Sequence, residues 1–139
     1  MTKNRYCFSN NLKLAYQSAG NPNDPAVIMI MGLGAQLTAW PVDLCETIAR
    51  QGYYVIRFDN RDIGLSDKME GLEPPPTRKV ITAGLFGIPL KTPYTLYDMA
   101  EDTIGLMEAL NIQQAHLIGA SMGGMIAQLI AIHHPDRVL

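Results

Sequence analysis

The chain has 139 residues, enough for one domain with a real core, and 47% hydrophobic against 17% charged residues favours a folded protein over a disordered one. Eleven basic and thirteen acidic side chains leave a net charge of −2, which excludes the basic field needed for nucleic acid or an anionic membrane surface. Residues 1–6 lead into no apolar secretory segment, and no apolar run approaches the roughly 18 residues of a membrane helix. Cys7 and Cys45 are expected to be buried free thiols of a reducing compartment, with the cytoplasm as the default.

Arg5 to Ser9 and Leu12 to Ser18 flank the turn dipeptide Asn10-Asn11 and predict an opening β-hairpin. Two prolines and three Asx residues make 21–25 a loop. Ala26 to Met31 is then a continuous apolar run, the pattern of a strand covered on both faces. Gly32-Leu33-Gly34 opens the next loop. Pro41 suits the first turn of a helix reaching about Gln51, with Leu44, Ile48 and Ala49 on one face and Gly52 closing it. Tyr53 to Asp59 predicts a second buried strand.

Residues 60–93 carry Pro74-Pro75-Pro76, Pro89 and Pro93 around an apolar island, Ala83-Gly84-Leu85-Phe86-Gly87-Ile88. A long insertion of this kind reads as functional or as a lid. Thr95 with Asp98 has the capping-box spacing for a helix ending near Asn111, its inner face formed by Leu96, Met99, Thr103, Leu106, Met107 and Leu110. Gln114 to Gly119 is the next strand and Met122 to His134 the next helix, stopped by Pro135. Strands joined by helical crossovers imply a single α/β domain over 1–139: a mostly parallel sheet with helices on both faces, preceded by the hairpin.

The chemistry concentrates at Gly119-Ala120-Ser121-Met122-Gly123-Gly124, between a strand and a helix. A serine flanked by Gly119 and Gly123 in that setting fits the nucleophile elbow G-x-S-x-G, a tight turn that pushes one hydroxyl into a cleft. The plainer alternative is a serine N-cap of an ordinary helix. In the elbow reading the N–H of Met122, unpaired at the first helical turn and favoured by the helix dipole, is the first oxyanion donor. The second comes from the loop after the first central strand, with the amide of Leu33 as candidate. A dinucleotide-binding loop fails on detail, because Leu37 stands where the third glycine belongs. Asp59-Asn60-Arg61-Asp62 has the composition of a metal or acid–base cluster, but reads better as a turn held by Arg61 with neighbouring carboxylates and carbonyls.

The succession of apolar strand, Gly-Leu-Gly-Ala loop, Asp-Asn-Arg-Asp-x-Gly-Leu-Ser turn and Gly-Ala-Ser-Met-Gly-Gly elbow resembles the α/β-hydrolase fold. Within it, the sequence is most similar to the aclacinomycin methylesterase-like group of small bacterial ester hydrolases. The resemblance implies Ser121 as nucleophile, the amides of Leu33 and Met122 as oxyanion hole, a small-molecule ester substrate, and neither metal nor organic cofactor. His134-Pro135-Asp136-Arg137-Val138 also matches a recurrent ending of the elbow helix. Two positions depart from the common pattern. Met31 replaces the histidine that often precedes the oxyanion glycine, and Asp62 replaces the commoner glycine of the arginine turn, as in the methylesterase-like group.

The resemblance covers only the N-terminal portion of a family member, truncated after the elbow helix, with the cap and the C-terminal strands absent. The family's triad acid and histidine follow the serine in chain order, and none is identified within these residues. His116 lies five strand residues from Ser121, roughly 16 Å at about 3.3 Å per residue. His133 and His134 lie about 18 Å or more down the helix. A general base needs to approach to about 3 Å. The expectation is that this stretch alone hydrolyses esters barely, if at all, and that the unpaired edge beside Gln114 to Gly119 invites self-association. Acyl transfer, C–C hydrolysis, cofactor-free haloperoxidase chemistry and a non-catalytic binding role share the same elbow and fold.

Overall fold

In a computed structural model, which describes residues 1–69, 85, 86 and 92–139, the chain forms a five-stranded mixed sheet. Its strands are β1 (Arg5–Ser9), β2 (Leu12–Ala19), β3 (Ala26–Ile30), β4 (Tyr54–Phe58) and β5 (Ala115–Gly119), in the spatial order β1-β2-β4-β3-β5. The opening hairpin pairs antiparallel and lays β2 antiparallel on β4, whereas β4, β3 and β5 run parallel. Three helices are described: α1 (Val42–Arg50), α2 (Leu96–Ala109) and α3 (Met122–His133). The proline-rich stretch and most of the apolar island expected to form an insertion lie outside the described residues. No helix among the described residues is long and apolar enough to cross a membrane.

Alternation along the strands builds the two layers. Ala26, Ile28 and Ile30 of β3, with Tyr54, Ile56 and Phe58 of β4, pack against Met99, Ile104 and Met107 of α2 and Ile126 and Ile130 of α3. The intervening residues Val27, Met29 and Val55 face the other way, onto Cys45 of α1. This period of two is what a strand buried on both faces produces. Both cysteines are buried and free, and burial pushes the Cys7 thiol up to about 11.

Three details differ from the sequence reading. Pro41 is the N-cap of α1, one residue outside the helix. The inner face of α1 therefore centres on Cys45, which meets Val27, Met29 and Val55, while Leu44 is exposed. The buried face of α2 is wider than its apolar stripe and includes Asp102 and Ile104, because α2 packs against the β1 hairpin as well as the sheet.

Asp102 explains that width. Its carboxylate takes two hydrogen bonds from Arg61, Nε at 2.6 Å and Nη2 at 2.7 Å, and a third from Asn10 at 3.1 Å. Its backbone carbonyl accepts from the Ser9 hydroxyl at 2.9 Å. The side chains of Arg61 and Asp102 are only 8% and 3% exposed. Burial opposes the guanidinium charge, but the hydrogen bond and charge of Asp102, with Asp98 adding, raise the Arg61 pKa. The pair thus fastens the residues after β4 and the hairpin turn to one helix. Arg61 also sits over the ring of Tyr94, 5.0 Å from its centroid. The capping box at the start of α2 is formed as expected, with Thr95 and Asp98 bonding reciprocally.

Removing one partner of a buried pair strands the other's charge. Asp102→Ala is expected to cost about 3–5 kcal/mol, against about 1 kcal/mol for Thr95→Ala, measured from urea denaturation midpoints. Tyr94 supplies a pH signature. Burial first, and then the hydrogen bond to the Asp62 carboxylate, push its phenol up to about 12. The folded value exceeds that of an unfolded tyrosine, about 10, so this stabilisation is complete below that pH and is lost as pH rises toward the folded value. The stability difference between wild type and Tyr94→Phe should be flat below about pH 10 and narrow above it.

Candidate active site

The parallel strands send their C-terminal connections to one edge of the sheet. There the pairing of β5 with β3 ends at Ile30 opposite Gly119, and one further bond, Ala120 N–H to the Ile30 carbonyl at 3.0 Å, carries the register past the strand. The chain then reverses at Ser121, whose φ of 53° and ψ of −121° lie in a region that non-glycine residues rarely adopt. Such a backbone costs on the order of 1–3 kcal/mol and persists only where its surroundings over-determine it. Here the amide of Gly123 bonds to Ala120 O at 2.9 Å and that of Gly124 to Ser121 O at 2.8 Å.

An ordinary serine N-cap has extended backbone and lends its oxygen to the first turn. Ser121 does neither: its side chain makes no capping bond, and the residue is exposed. The alternative reading of this serine as a simple helix cap is therefore not what the structure shows.

The two flanking glycines are required by close approach. A Cβ on Gly123 would overlap the Ile30 carbonyl and come within 2.9 Å of the Met31 oxygen, and one on Gly119 would overlap the Gly123 carbonyl. This tight contact seats the start of α3 on the end of β3. It also brings the following loop beside the serine: a Cβ on Gly32 would lie 3.1 Å from Ser121 Cβ and 3.6 Å from its Oγ. Among the described residues the amides of Leu33 and Met122 have no protein acceptor. Met122 opens α3, where an N–H has no intrahelical partner. Gly119, Ser121, Met122 and Gly123 thus form one turn, and Leu33 follows the glycine that adjoins it, its side chain 82% exposed.

Two buried side chains at the end of β4 hold that loop; both belong to the cluster that the sequence marks as a turn, but their reach to the loop after β3 is not legible there. Asn60 donates from Nδ2 to the Met31 carbonyl at 3.0 Å. Asp59 accepts from the amide of Leu37 at 2.6 Å, at the far end of the loop, and from that of Leu65 at 2.9 Å. Ser66 completes the turn, donating to Asp59 O at 2.6 Å and accepting from the amide of Ala15 at 2.9 Å. The turn was expected to be held by Arg61. Asp59 and Ser66 hold it instead, because Arg61 reaches across to α2. The available signal was an Asp-Asn pair closing a buried strand, which becomes meaningful only once β4 is known to lie beside β3.

The histidines are engaged elsewhere. His116 meets the Tyr53 ring edge-on with centroids 5.6 Å apart. His133 meets Tyr97 likewise at 5.0 Å, and His134 Nε2 lies 2.7 Å from Glu101 Oε1, tying the end of α3 to α2. A concavity of about 470 Å³, lined by Ser18, Gly20, Glu46 and Ala49 among others, does not include Ser121.

Residues 25–139 match the α/β-hydrolase fold family, and the chain belongs to it. Rhodomycin D methylesterase DauP of Streptomyces sp. (strain C5) is 29% identical over 123 residues, covering 88% of this chain and 35% of the relative. The 3-oxoadipate enol-lactonase 2 of Acinetobacter baylyi is 30% identical over 127 residues, covering 91% and 39%. A hydrolase of Pseudomonas aeruginosa PA01 of known crystal structure superimposes with a TM-score of 0.74 at 28% identity, over 97% of this chain and 43% of that one. The chain thus spans well under half the length of these relatives.

Adjacent glycines give a sharp test of the close approach. Gly123→Ala places a methyl on a β3 carbonyl and should destabilise by at least about 1–3 kcal/mol. Gly124→Ala meets nothing nearer than 3.5 Å and should be neutral or stabilising by up to about 1 kcal/mol through helix propensity. Thermal melts of the two variants should move in opposite directions or differ by the full first amount.

Proposed function

We propose that the protein is a serine hydrolase of carboxylic esters acting through an acyl-enzyme on Ser121. One observation carries the reading: a non-glycine residue held at φ 53°, with an exposed hydroxyl that caps nothing, at the C-terminal end of a parallel strand. Strain retained at such a point is the signature of a group held ready for a reaction. The methylesterase and enol-lactonase relatives support an ester-like substrate.

In the proposed reaction Ser121 Oγ attacks the ester carbonyl, forming a C–O bond as a base removes its proton. The negative charge that develops on the former carbonyl oxygen is met by the amides of Met122 and Leu33. Collapse expels the alcohol and leaves the acyl group on Ser121, and water then releases it. His116, His133 and His134 are engaged away from this turn, with Tyr53, Tyr97 and Glu101, so none of the three is assigned as the base that takes the Ser121 proton. The reading extends to partners and place. The site takes a small ester-type molecule. The buried free thiols fit a reducing compartment, for which we propose the cytoplasm. The β5 edge, bridged among the described residues only by Ala115 to Val138, is where the isolated chain would self-associate.

A fluorophosphonate probe should label full-length protein at Ser121. Ser121→Ala should abolish labelling and lower kcat on a short-chain nitrophenyl ester by about 10⁴- to 10⁶-fold, with an unchanged far-UV spectrum. Turnover at the wild-type rate in that variant would overturn the assignment.

A further inference from the structure

We propose that Asn60 is the positioning residue for the oxyanion loop, aiming its amides at the reacting carbonyl through a single buried hydrogen bond. The inference rests on the serine-hydrolase reading above and assigns a role to a side chain that does not itself meet substrate.

The loop has little to hold its own shape. Its tip is Gly32-Leu33-Gly34-Ala35, the Leu33 side chain projects into solvent, and Gly34 sits at φ +72°. The internal bond, Ala35 N–H to Gly32 O, is long at 3.4 Å and correspondingly weak. Its orientation is therefore set at its ends. At the far end Asp59 holds the Leu37 amide, but the same carboxylate also serves Leu65. At the near end the Met31 carbonyl points at Asn60 Nδ2, 3.0 Å away, and Asn60 is 3% exposed.

A trans peptide is planar, so its carbonyl and N–H point in opposite directions. Fixing the Met31 oxygen fixes the Gly32 N–H on the opposite side, and with it the plane from which the Leu33 peptide departs. The other flank of Gly32 rests on Ala120 and Ser121. The loop is thus gripped between Asn60 and the serine it is to serve. Without Asn60, the Met31 carbonyl is buried without a donor, and the loop is free to rotate to find one.

The test uses full-length protein as wild type, Asn60→Ala and Asn60→Asp. Its readouts are kcat and KM on a nitrophenyl ester, the rate of Ser121 phosphonylation, and melting temperature, at pH values from about 5 to 9, a range that brackets the titration of a buried carboxyl. Deleting an oxyanion donor outright costs about 10²- to 10³-fold in kcat. Mis-aiming one should cost Asn60→Ala about 10- to 100-fold in kcat and in labelling rate, with KM changed less than about threefold. Asn60→Asp keeps the shape, but its oxygen can donate to the Met31 carbonyl only when protonated. Its activity relative to wild type should rise as pH falls, while the Asn60→Ala ratio stays flat, a difference that a purely structural role would not produce. Should Asn60→Ala fail to fold, the near-isosteric aspartate variant carries the pH test alone. The proposal is overturned if wild type is labelled at Ser121 while Asn60→Ala matches it within about twofold, or if the Asn60→Asp ratio is independent of pH. Absence of labelling in wild type would overturn the serine-hydrolase reading and this inference with it.

Discussion

The carbonyl of Ile30 is the point on which the rest of the arrangement turns. It ends β3, accepts the amide of Ala120 as β5 leaves the sheet, and lies directly beneath Gly123 at the start of α3. Two strands and a helix therefore converge on one peptide group. The chain between Gly119 and Gly123 has to reverse within four residues without moving any of them. No relaxed backbone does this, and the left-handed serine is the result. The hydroxyl is exposed for the same reason, since the turn is too tight for its oxygen to fold back onto the helix.

What keeps such a turn from relaxing is the rigidity of its support. β3 lies between β4 and β5 and is covered on both faces, so its end cannot shift without disturbing two layers of packing. The residues just past β4 are fixed as firmly, Asp59 and Asn60 to the neighbouring loop and Arg61 to Asp102 of α2. Three consecutive polar side chains at a strand end thus serve three different anchors. The hairpin joins the same scheme through Asn10 and Ser9. A buried ion pair of this kind contributes less net stability than its geometry suggests, but it makes the relative placement of hairpin, turn and helix specific.

The fold was largely readable because its signals are local. Asn10-Asn11, Pro135 and the Thr95–Asp98 box each mark an element boundary within a few residues, and the structure places those boundaries there. The serine turn was equally plain, since glycine spacing and the strand–helix change coincide in one short window. The less accurate readings share one cause: they depended on what lies across the fold. Arg61 was paired with its sequence neighbours, whereas its partner is 41 residues away. Helical spacing groups Leu44 with Ile48 and Ala49 on one face, but the inner position of α1 belongs to Cys45 against β3. Asn60 stands out only as half of an Asp-Asn pair closing a strand, and its purpose depends on β4 lying next to β3 in parallel register. Pattern identifies elements, but which polar side chain braces which loop is settled by neighbours distant in sequence.

The unfavourable torsion at residue 121 has an evolutionary corollary. A glycine there would relieve the conformational penalty while discarding the hydroxyl, so thermodynamic robustness and reactivity make opposing demands on the same position. Selection for heat tolerance alone would erode this corner of the molecule first, and its persistence in a lineage would record continuous pressure to keep the chemistry.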